Sequence, residues 1–311
     1  MIRPIVCRVL TGPTGSGKSE IAFRLAQEEK LDILCMDSMQ IYRGMNIGTA
    51  KPTEDEQKAV PHHLLDLCDP RENYSVSQYV GEAEKTVEAL DKAGKKVLFV
   101  GGTGLYLEGM MNGMSLGTIP ANESLREELH ALADGPDGRR KLDERLRRLD
   151  PETADKLPMN DVRRRIRAIE VSEMTGKPFS KQANERSGSR FRWIVVSTQT
   201  EREHLYERIN RRVDRMIADG LENEVRALLE TGVSADAQSM QAIGYKEMIP
   251  YIRKEYSLET AAEEIRKGTR HYAKRQITYL KRIQEIRYVN TESSAAYEQI
   301  RNLFWENGEK A

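Results

Sequence analysis

The chain has 311 residues, of which 39% are hydrophobic and 32% charged, so it is long enough to bury a sizeable core. Its 49 Lys and Arg equal its 49 Asp and Glu, so overall charge gives no argument for nucleic-acid binding, and only local clusters could. Pro and Gly are not enriched, which argues against extended disorder.

The cysteines Cys7, Cys35 and Cys68 are odd in number and are not paired at metal-ligand spacing. Two of them lie in apolar runs typical of strands, so small core residues are the favoured interpretation. A reducing cytosol fits this pattern, and a cytoplasmic location is expected. The apolar run at 5–10 is too short for a signal peptide or a membrane span, and no later segment approaches membrane length. No membrane contact is therefore expected.

Short apolar runs alternate with helical patterns in the first half of the chain. Strands are predicted at residues 5–10, 31–36, 63–67 and 96–100. Helices are predicted at residues 16–28 and 76–93, the second stopping at Gly94. Alternation of this kind favours an α/β fold with a parallel sheet covered on both faces.

The character of the chain changes from about residue 119 to residue 190. This segment has no convincing strand, and residues 139–170 hold eleven Lys or Arg against seven Asp or Glu. A strand is predicted again at 191–197, and the chain from residue 201 is mostly helical. The simplest organisation is an α/β core built from 1–118 and 191–311, with a helical insertion domain at 119–190.

A phosphate-binding motif follows the first predicted strand directly. The sequence GPTGSGKS fits the pattern G-x-x-x-x-G-K-[ST] in full and leads into a helix. Glycines let backbone N–H groups curl toward phosphate oxygens, and the helix N-terminus adds partial positive charge. Lys18 supplies a full charge, and Ser19 can ligate Mg²⁺. The residues predicted to hold a di- or triphosphate are Gly12, Pro13, Thr14, Gly15, Ser16, Gly17, Lys18 and Ser19.

Polar residues follow two other strands, at the sheet edge where ligands bind in doubly wound folds. Asp37 could accept a proton there or cap the following turn, and position alone does not decide between the two roles. Gln40 could read a base edge, although alone it is an ordinary polar loop residue. Thr103 lies near the same edge and could also be a helix N-cap. No acidic residue follows residues 99–100, which weakens a simple ATPase interpretation.

Eight segments together resemble the tRNA dimethylallyltransferase family, also called the tRNA isopentenyltransferase or IPP transferase family. They are GPTGSGKS (12–19), DSMQIYRGMNIGTAKP (37–52), PHHLLD (61–66), GGTGLY (101–106), NDVRRRIRAIE (160–170), DRMIADGLENEV (214–225), QAIGYKE (241–247) and TRHYAKRQITY (269–279). Their order matches the family, and they cover most of the chain. Departures are small: the family often has Ala at position 15, and it often has Trp-Phe-Arg where this chain has Tyr279-Leu280-Lys281.

The resemblance implies a P-loop NTPase or nucleotide-kinase-like sheet with a helical insertion. It also implies transfer of a dimethylallyl group from dimethylallyl diphosphate to N6 of the adenosine 3′-adjacent to the anticodon, in tRNAs that read codons beginning with U. In that chemistry Asp37 takes the amine proton, and Thr103 holds the base or a phosphate oxygen. Lys18, Mg²⁺ near Ser19 and the loop amides stabilise the departing diphosphate, which Arg208 and Arg212 could also reach.

The resemblance further implies that the target base leaves its stack and enters the protein, which costs a few kcal/mol of stacking. The residues it assigns to tRNA are Ser38, Met39, Gln40, Asn160, Asp161, Val162, Arg163, Arg164, Gln241, Gly244, Lys274, Arg275 and Gln276. A local excess of seven positive charges in 266–287 fits contact with the phosphate backbone, although a solvated helix face would show the same excess. A monomer is the default expectation.

Two other interpretations stay open at this point. A small-molecule or nucleotide kinase on the same fold would use the helical insertion as its lid and would depend on Lys18 for phosphoryl transfer. A non-enzymatic RNA-binding protein would leave the phosphate loop and Asp37 without a role.

Overall fold

The computed structural model describes residues 3–112, 122–182 and 190–305. The chain divides into two compact units. Met1–Met111 and Arg190–Ala311 form the first unit, and Asn112–Ser189 forms the second. The division into a core at 1–118 and 191–311 and an insertion domain at 119–190 stays a prediction.

The first unit is built on a six-stranded sheet in which every pair of neighbouring strands is parallel. The strands are β1 (Ile5–Thr11), β2 (Leu31–Cys35), β3 (His62–His63), β4 (Lys96–Gly101), β5 (Phe191–Gln199) and β6 (Arg287–Asn290). Their order across the sheet is β3-β2-β4-β1-β5-β6. Buried apolar clusters cover both faces of the sheet, so the predicted α/β class is confirmed.

Two strands differ from the sequence-based prediction. The strand expected at 63–67 is observed as the two-residue strand His62–His63, because Leu64 and Asp66 adopt left-handed backbone angles with φ of 63° and 55°. L-residues adopt that region only in turns, so the strand cannot continue. β6 was not predicted at all, because Val289 is its single buried residue and four residues give no readable alternation.

The helices of the first unit pack on this sheet and on one another. They are α1 (Lys18–Glu29), α2 (Glu54–Ala59), α3 (Val76–Lys92), α4 (Gly104–Asn112), α10 (Arg202–Ala218), α11 (Leu221–Glu230), α12 (Tyr245–Ile252), α13 (Leu258–Leu280) and α14 (Ala296–Trp305). The start of α3 is fixed by a capping box, in which Ser75 and Gln78 satisfy each other's backbone amides. None of the helices among the described residues combines the length and apolar composition that crossing a membrane requires.

The second unit is helical throughout its described part. Its helices are α5 (Glu123–Asp134), α6 (Gly138–Leu149), α7 (Pro151–Lys156), α8 (Val162–Thr175) and α9 (Phe179–Gln182). Leu129, Leu142 and Ile169 are fully buried and form its core. Arg165 is also buried, paired with Asp143 at 2.5 Å. A charge at such a depth requires a partner of this kind, because an unpaired buried charge is strongly destabilising.

Candidate active site

Three sequence motifs meet at one edge of the sheet. β1, β2 and β4 are adjacent and parallel, so their carboxyl ends lie side by side. These ends lead respectively into the phosphate loop at residues 12–17, into Asp37, and into Thr103. The packing is close: a Cβ at Gly101 would overlap the carbonyl group of Met36, so only glycine fits between the two strand ends. The sheet thus gathers residues that are far apart in the sequence.

The phosphate loop owes its shape to glycine. Gly12, Gly15 and Gly17 have φ angles of 142°, 82° and 84°, which L-residues with a side chain adopt only under strain. The loop is held from β5 as well, because the hydroxyls of Ser16 and Thr198 lie 2.6 Å apart. The loop is therefore fixed in its curled form, and its backbone amides do not have to be ordered when an anion binds.

Two cationic side chains approach this loop. The Lys18 ammonium donates to the carbonyl of Pro13 at 3.2 Å. Burial and, to a smaller extent, the nearby charge of Arg212 lower the pKa of Lys18 to about 8, against the opposing effect of the Asp37 carboxylate. Arg212 itself, from α10, donates to the hydroxyl of Thr14 at 3.2 Å, and burial lowers the pKa of its guanidinium. Two desolvated cations beside a nest of amides form a site for a multiply charged anion.

Asp37 is close enough to Lys18, Arg212 and Tyr272 to influence the pKa of each. Burial is the main cause of the raised pKa of Tyr272, and the negative charge of Asp37 adds to it. One of its oxygens, Oδ1, accepts from the amide of Met39 at 2.9 Å, so the side chain does cap the turn that follows. The second oxygen, Oδ2, remains available to a substrate. The two roles considered for Asp37 are therefore compatible within one carboxylate. Thr103 braces the same turn, since its hydroxyl accepts from the amide of Ser38 at 3.2 Å.

Gln40 is engaged inside the protein through both ends of its amide. Its Nε2 donates to the carbonyls of Thr49 and Ala50, each at 3.1 Å, and its Oε1 accepts from the Cys35 thiol at 3.0 Å. The side chain therefore links two parts of the loop after β2. Recognition of a base edge by Gln40 stays a prediction, and it requires an exchange of these internal bonds.

A carboxylate inside the segment 214–225, to which no individual role was assigned, also binds the loop after β2. Glu224 of α11 accepts from the amides of Asn46, Ile47 and Gly48 at 2.9, 2.8 and 3.1 Å. The Tyr245 hydroxyl donates to it as well, at 2.5 Å. Glutamate in a helix gives no sequence signal for such a function, because the three amides lie more than 170 residues away in the chain.

A Mg²⁺ ion at the phosphate loop would find a suitable oxygen donor in Ser19. This residue is exposed in the first turn of α1, directly after Lys18. Mg²⁺ favours hard oxygen ligands, and in phosphate-loop proteins the hydroxyl that follows the loop lysine binds it together with substrate phosphates. The residues at this position therefore fit the ion expected from the sequence.

Residues 40–283 match the protein-family model described as IPP transferase. The chain belongs to the IPP transferase family. The resemblance inferred from the eight segments is thus confirmed.

Relatives of known name support the same family. A tRNA dimethylallyltransferase from Thermotoga neapolitana is 43% identical over 282 residues, which cover 91% of both chains. A protein from Pelobacter propionicus, named tRNA dimethylallyltransferase 1, is 44% identical over 293 residues, covering 92% of this chain and 93% of the relative.

Solved structures of this family have the same fold. The tRNA isopentenylpyrophosphate transferase of Bacillus halodurans is 35% identical, with a TM-score of 0.70 and 97% coverage of each chain. A eukaryotic dimethylallyltransferase acting on tRNA is 28% identical, with a TM-score of 0.82 and coverage of 96% of this chain and 78% of that one.

The residues that the IPP transferase motifs assign to tRNA are distributed over both units. In the first unit Gln241, Lys274 and Arg275 are exposed, whereas Gly244 is buried at the start of α12. Ser38 and Met39 are half-buried beside Asp37. Gln276 is only 5% exposed, and its amide atoms bond to two loops of the active site. The Gln276 amide is therefore bonded inside the protein, and its direct contact with tRNA stays a prediction that requires an exchange of these bonds.

In the second unit the predicted stretch surrounds the start of α8. Asn160, Arg163 and Arg164 are exposed, and Val162 is half-buried against the core of the unit. Asp161 is the N-cap of α8 and accepts from the amide of Arg164 at 3.3 Å. Asp161 is therefore a structural residue at this site, while its three exposed neighbours present polar groups to solvent.

A cluster of arginines on α10 contains the predicted Arg208 and Arg212 and adds Arg211 and Arg215. Arg208, Arg211, Arg212 and Arg215 line a shallow cleft of about 180 Å³. Residues at these spacings share one helix face, so helical periodicity was the signal that could have identified the cleft. Like charges so spaced repel one another, which favours occupation of the cleft by an anion.

Proposed function

We propose that this protein transfers a dimethylallyl group from dimethylallyl diphosphate to N6 of the adenosine 3′-adjacent to the anticodon of tRNA. The observation that carries the proposal is the convergence at one sheet edge of Lys18, Arg212 and the phosphate loop with the free oxygen of Asp37. The names of the relatives, tRNA dimethylallyltransferase, support the same reaction. Glycines at 101 and 102 occupy the end of β4, where many P-loop NTPases carry an acidic residue.

In this reaction the adenine N6 forms a bond to the allylic carbon, and the bond between that carbon and the diphosphate oxygen breaks. The proton leaves N6 for the Oδ2 atom of Asp37. Negative charge grows on the departing diphosphate, beside Lys18, Arg212 and the amides of the phosphate loop. Charges and dipoles already oriented toward that oxygen stabilise the transition state more than the ground state. The loop thus holds a leaving group and transfers no phosphoryl group.

The proposal includes one Mg²⁺ held at Ser19. When bound, the ion would neutralise part of the diphosphate charge. Ser19 would orient it through its hydroxyl, from the first turn of α1.

The tRNA anticodon loop is the proposed second substrate, in tRNAs that read codons beginning with U. Its unpaired bases can be extruded at a cost of a few kcal/mol, which contacts elsewhere must offset. The exposed residues assigned to this task are Gln241, Lys274 and Arg275 in the first unit and Asn160, Arg163 and Arg164 in the second. We further propose that the protein acts as a monomer in the cytoplasm, where tRNA is its substrate and where its three free, buried cysteines stay reduced.

The decisive experiment is mass analysis of tRNA nucleosides after incubation with dimethylallyl diphosphate and Mg²⁺, without ATP. The expected product is an adenosine that has gained one dimethylallyl group in place of a hydrogen. An anticodon stem-loop with guanosine at the target position is the matched control and should stay unmodified. ATP-dependent phosphorylation without allyl incorporation would instead identify a kinase on this fold.

A further inference from the structure

The side chain of Gln276 joins two loops of the candidate active site. Its Oε1 accepts from the backbone amide of Thr14 in the phosphate loop at 2.8 Å, and its Nε2 donates to the carbonyl of Gly102 at 3.0 Å. Thr14 and Gly102 follow different strands, β1 and β4. A single planar amide near the C-terminal end of α13 therefore fixes the spacing between these two loops.

The fit around this amide is tight. Gln276 is 5% exposed, and a Cβ at Gly102 would overlap its Nε2 atom. Buried polar groups that lose their partner cost more than the bond itself contributes, so the Thr14 amide and the Gly102 carbonyl depend on this side chain. No other side-chain type offers one donor and one acceptor at the same reach, apart from a protonated glutamic acid.

The two loops carry the opposite sides of the proposed reaction. The phosphate loop would hold the diphosphate, and the Gly102 loop leads to Thr103, which braces the turn after Asp37 through the amide of Ser38. A shift of one loop relative to the other would change the distance between the leaving group and the proton acceptor. Misplacement of about 1 Å can cost roughly a hundredfold in rate.

We propose that Gln276 is a positioning residue that holds the phosphate loop in register with the Gly102–Thr103 turn and so sets diphosphate affinity. The proposal rests on the proposed function for its substrate. The helix α13 then has two functional faces. Lys274 and Arg275 are exposed and available to RNA, while Gln276 points inward to the phosphate loop. One helix then serves both substrates.

Gln276→Met tests the proposal, because methionine keeps the length and volume of the side chain but removes both hydrogen bonds. Gln238→Met is the matched control. Gln238 also binds a backbone through both ends of its amide, accepting from the Tyr74 amide at 3.1 Å and donating to the Tyr74 carbonyl at 2.9 Å. It contacts neither the phosphate loop nor Gly102 through these bonds.

The measurements are calorimetric binding of inorganic diphosphate with Mg²⁺, steady-state transfer kinetics and the thermal midpoint of each full-length variant. We expect Gln276→Met to weaken diphosphate binding about tenfold and to raise the KM for dimethylallyl diphosphate by a similar factor. Gln238→Met should leave the diphosphate affinity and the KM for dimethylallyl diphosphate unchanged, even if its thermal midpoint falls by as much as that of Gln276→Met. Unchanged diphosphate binding in Gln276→Met, or an equal loss in Gln238→Met, would overturn the proposal.

Gln276→Glu gives a second, independent outcome. A glutamate keeps the acceptor for Thr14 but places an oxygen against the Gly102 carbonyl and a negative charge near the bound anion. Diphosphate binding at neutral pH should be at least as weak as in Gln276→Met, and wild-type binding in this variant would contradict the proposal. Because inorganic diphosphate binding requires no turnover, a wild-type protein that binds it but transfers no allyl group would reject the function and leave the test of Gln276 intact.

Discussion

Lys18 and Arg212 bring two positive charges to adjacent residues of the phosphate loop, the first to the Pro13 carbonyl and the second to the Thr14 hydroxyl. Burial and the charge of Arg212 together lower the pKa of Lys18 to about 8. The two positive charges thus repel each other when no anion is present. A bound diphosphate offsets this repulsion and favours the charged form of Lys18, so its binding should be coupled to protonation of Lys18.

The first prediction concerns this coupling. A bound anion favours the charged ammonium and raises the pKa of Lys18 back from about 8, so the protein takes up a proton when diphosphate binds near that pH. Diphosphate affinity should therefore fall as the pH rises through about 8, because the free lysine is then neutral. Calorimetry in buffers of different ionisation enthalpy measures the uptake. Lys18→Arg keeps its charge across this range and should remove this contribution, and an identical uptake in that variant would contradict the assignment.

Arg212 should contribute directly to diphosphate affinity. Arg212→Gln removes a desolvated charge, and hydrogen bonds to charged groups are worth about 1.5–3 kcal/mol. We expect the KM for dimethylallyl diphosphate to rise roughly tenfold to a hundredfold. Arg226→Gln is the control, since Arg226 pairs with Glu222 at 2.8 Å on α11. An effect of equal size in the two variants would show that Arg212 affects this KM only through the net charge of the protein and not through contact with the diphosphate.

Much of the fold could be predicted because its signals are local. β1, β2 and β4 are mostly apolar runs, interrupted by Arg8 and Asp32, that a parallel sheet buries on both faces, and the predicted bounds agree with the structure within one residue at each end. β6 depends instead on pairing with β5, and four residues with one buried side chain carry no pattern of their own. Its existence is a property of the tertiary structure.

The same distinction applies to the candidate site. The phosphate loop is a contiguous motif whose geometry follows from its own glycines. Gln276 and Glu224 were not predicted in their observed roles, because their partners lie up to 262 residues away and a polar residue in a helix is compatible with many environments. The family motifs pointed to residue 276 but assigned it to tRNA, since a motif marks a position without showing where its side chain points.

Asp37→Asn tests the proton acceptor. An asparagine in place of Asp37 keeps a side-chain oxygen that accepts from the Met39 amide, so the turn after β2 should keep its conformation. It cannot take a proton from N6, and general bases contribute about a hundredfold to ten-thousandfold in rate. Single-turnover transfer should fall by at least about a hundredfold, while tRNA binding measured by filter retention stays within about twofold. An unchanged transfer rate would show that Asp37 is not the base.

Lys274 and Arg275 should contribute to tRNA affinity through phosphate contacts. Replacing either with Gln should weaken binding and lower the slope of log affinity against log salt by about one per lost contact. Lys85→Gln is the control, because Lys85 lies on α3, outside the basic segment 266–287, and pairs with Glu82 at 2.8 Å. Salt titrations of anticodon stem-loop binding measure the slopes. A slope identical to that of wild type in both α13 variants would remove this helix from the RNA interface.

The last prediction concerns Glu224, whose two oxygens satisfy different donors. Oε2 accepts from Asn46 and Ile47, and Oε1 accepts from Gly48 and Tyr245. Glu224→Gln has a single oxygen, so one pair of donors must face an NH₂ group. The loop it holds carries the Thr49 carbonyl, to which both Gln40 and Arg212 donate at 3.1 and 3.3 Å.

Loss of this loop geometry should therefore affect both substrates. We expect kcat/KM to fall roughly tenfold to a hundredfold, with KM rising for tRNA as well as for dimethylallyl diphosphate. Glu222→Gln, on the same helix, changes a carboxylate that binds Arg226 and Tyr251 and should stay close to wild type. If Glu224→Gln lowers the thermal midpoint without changing either KM, the carboxylate stabilises the fold but does not position the active-site loop.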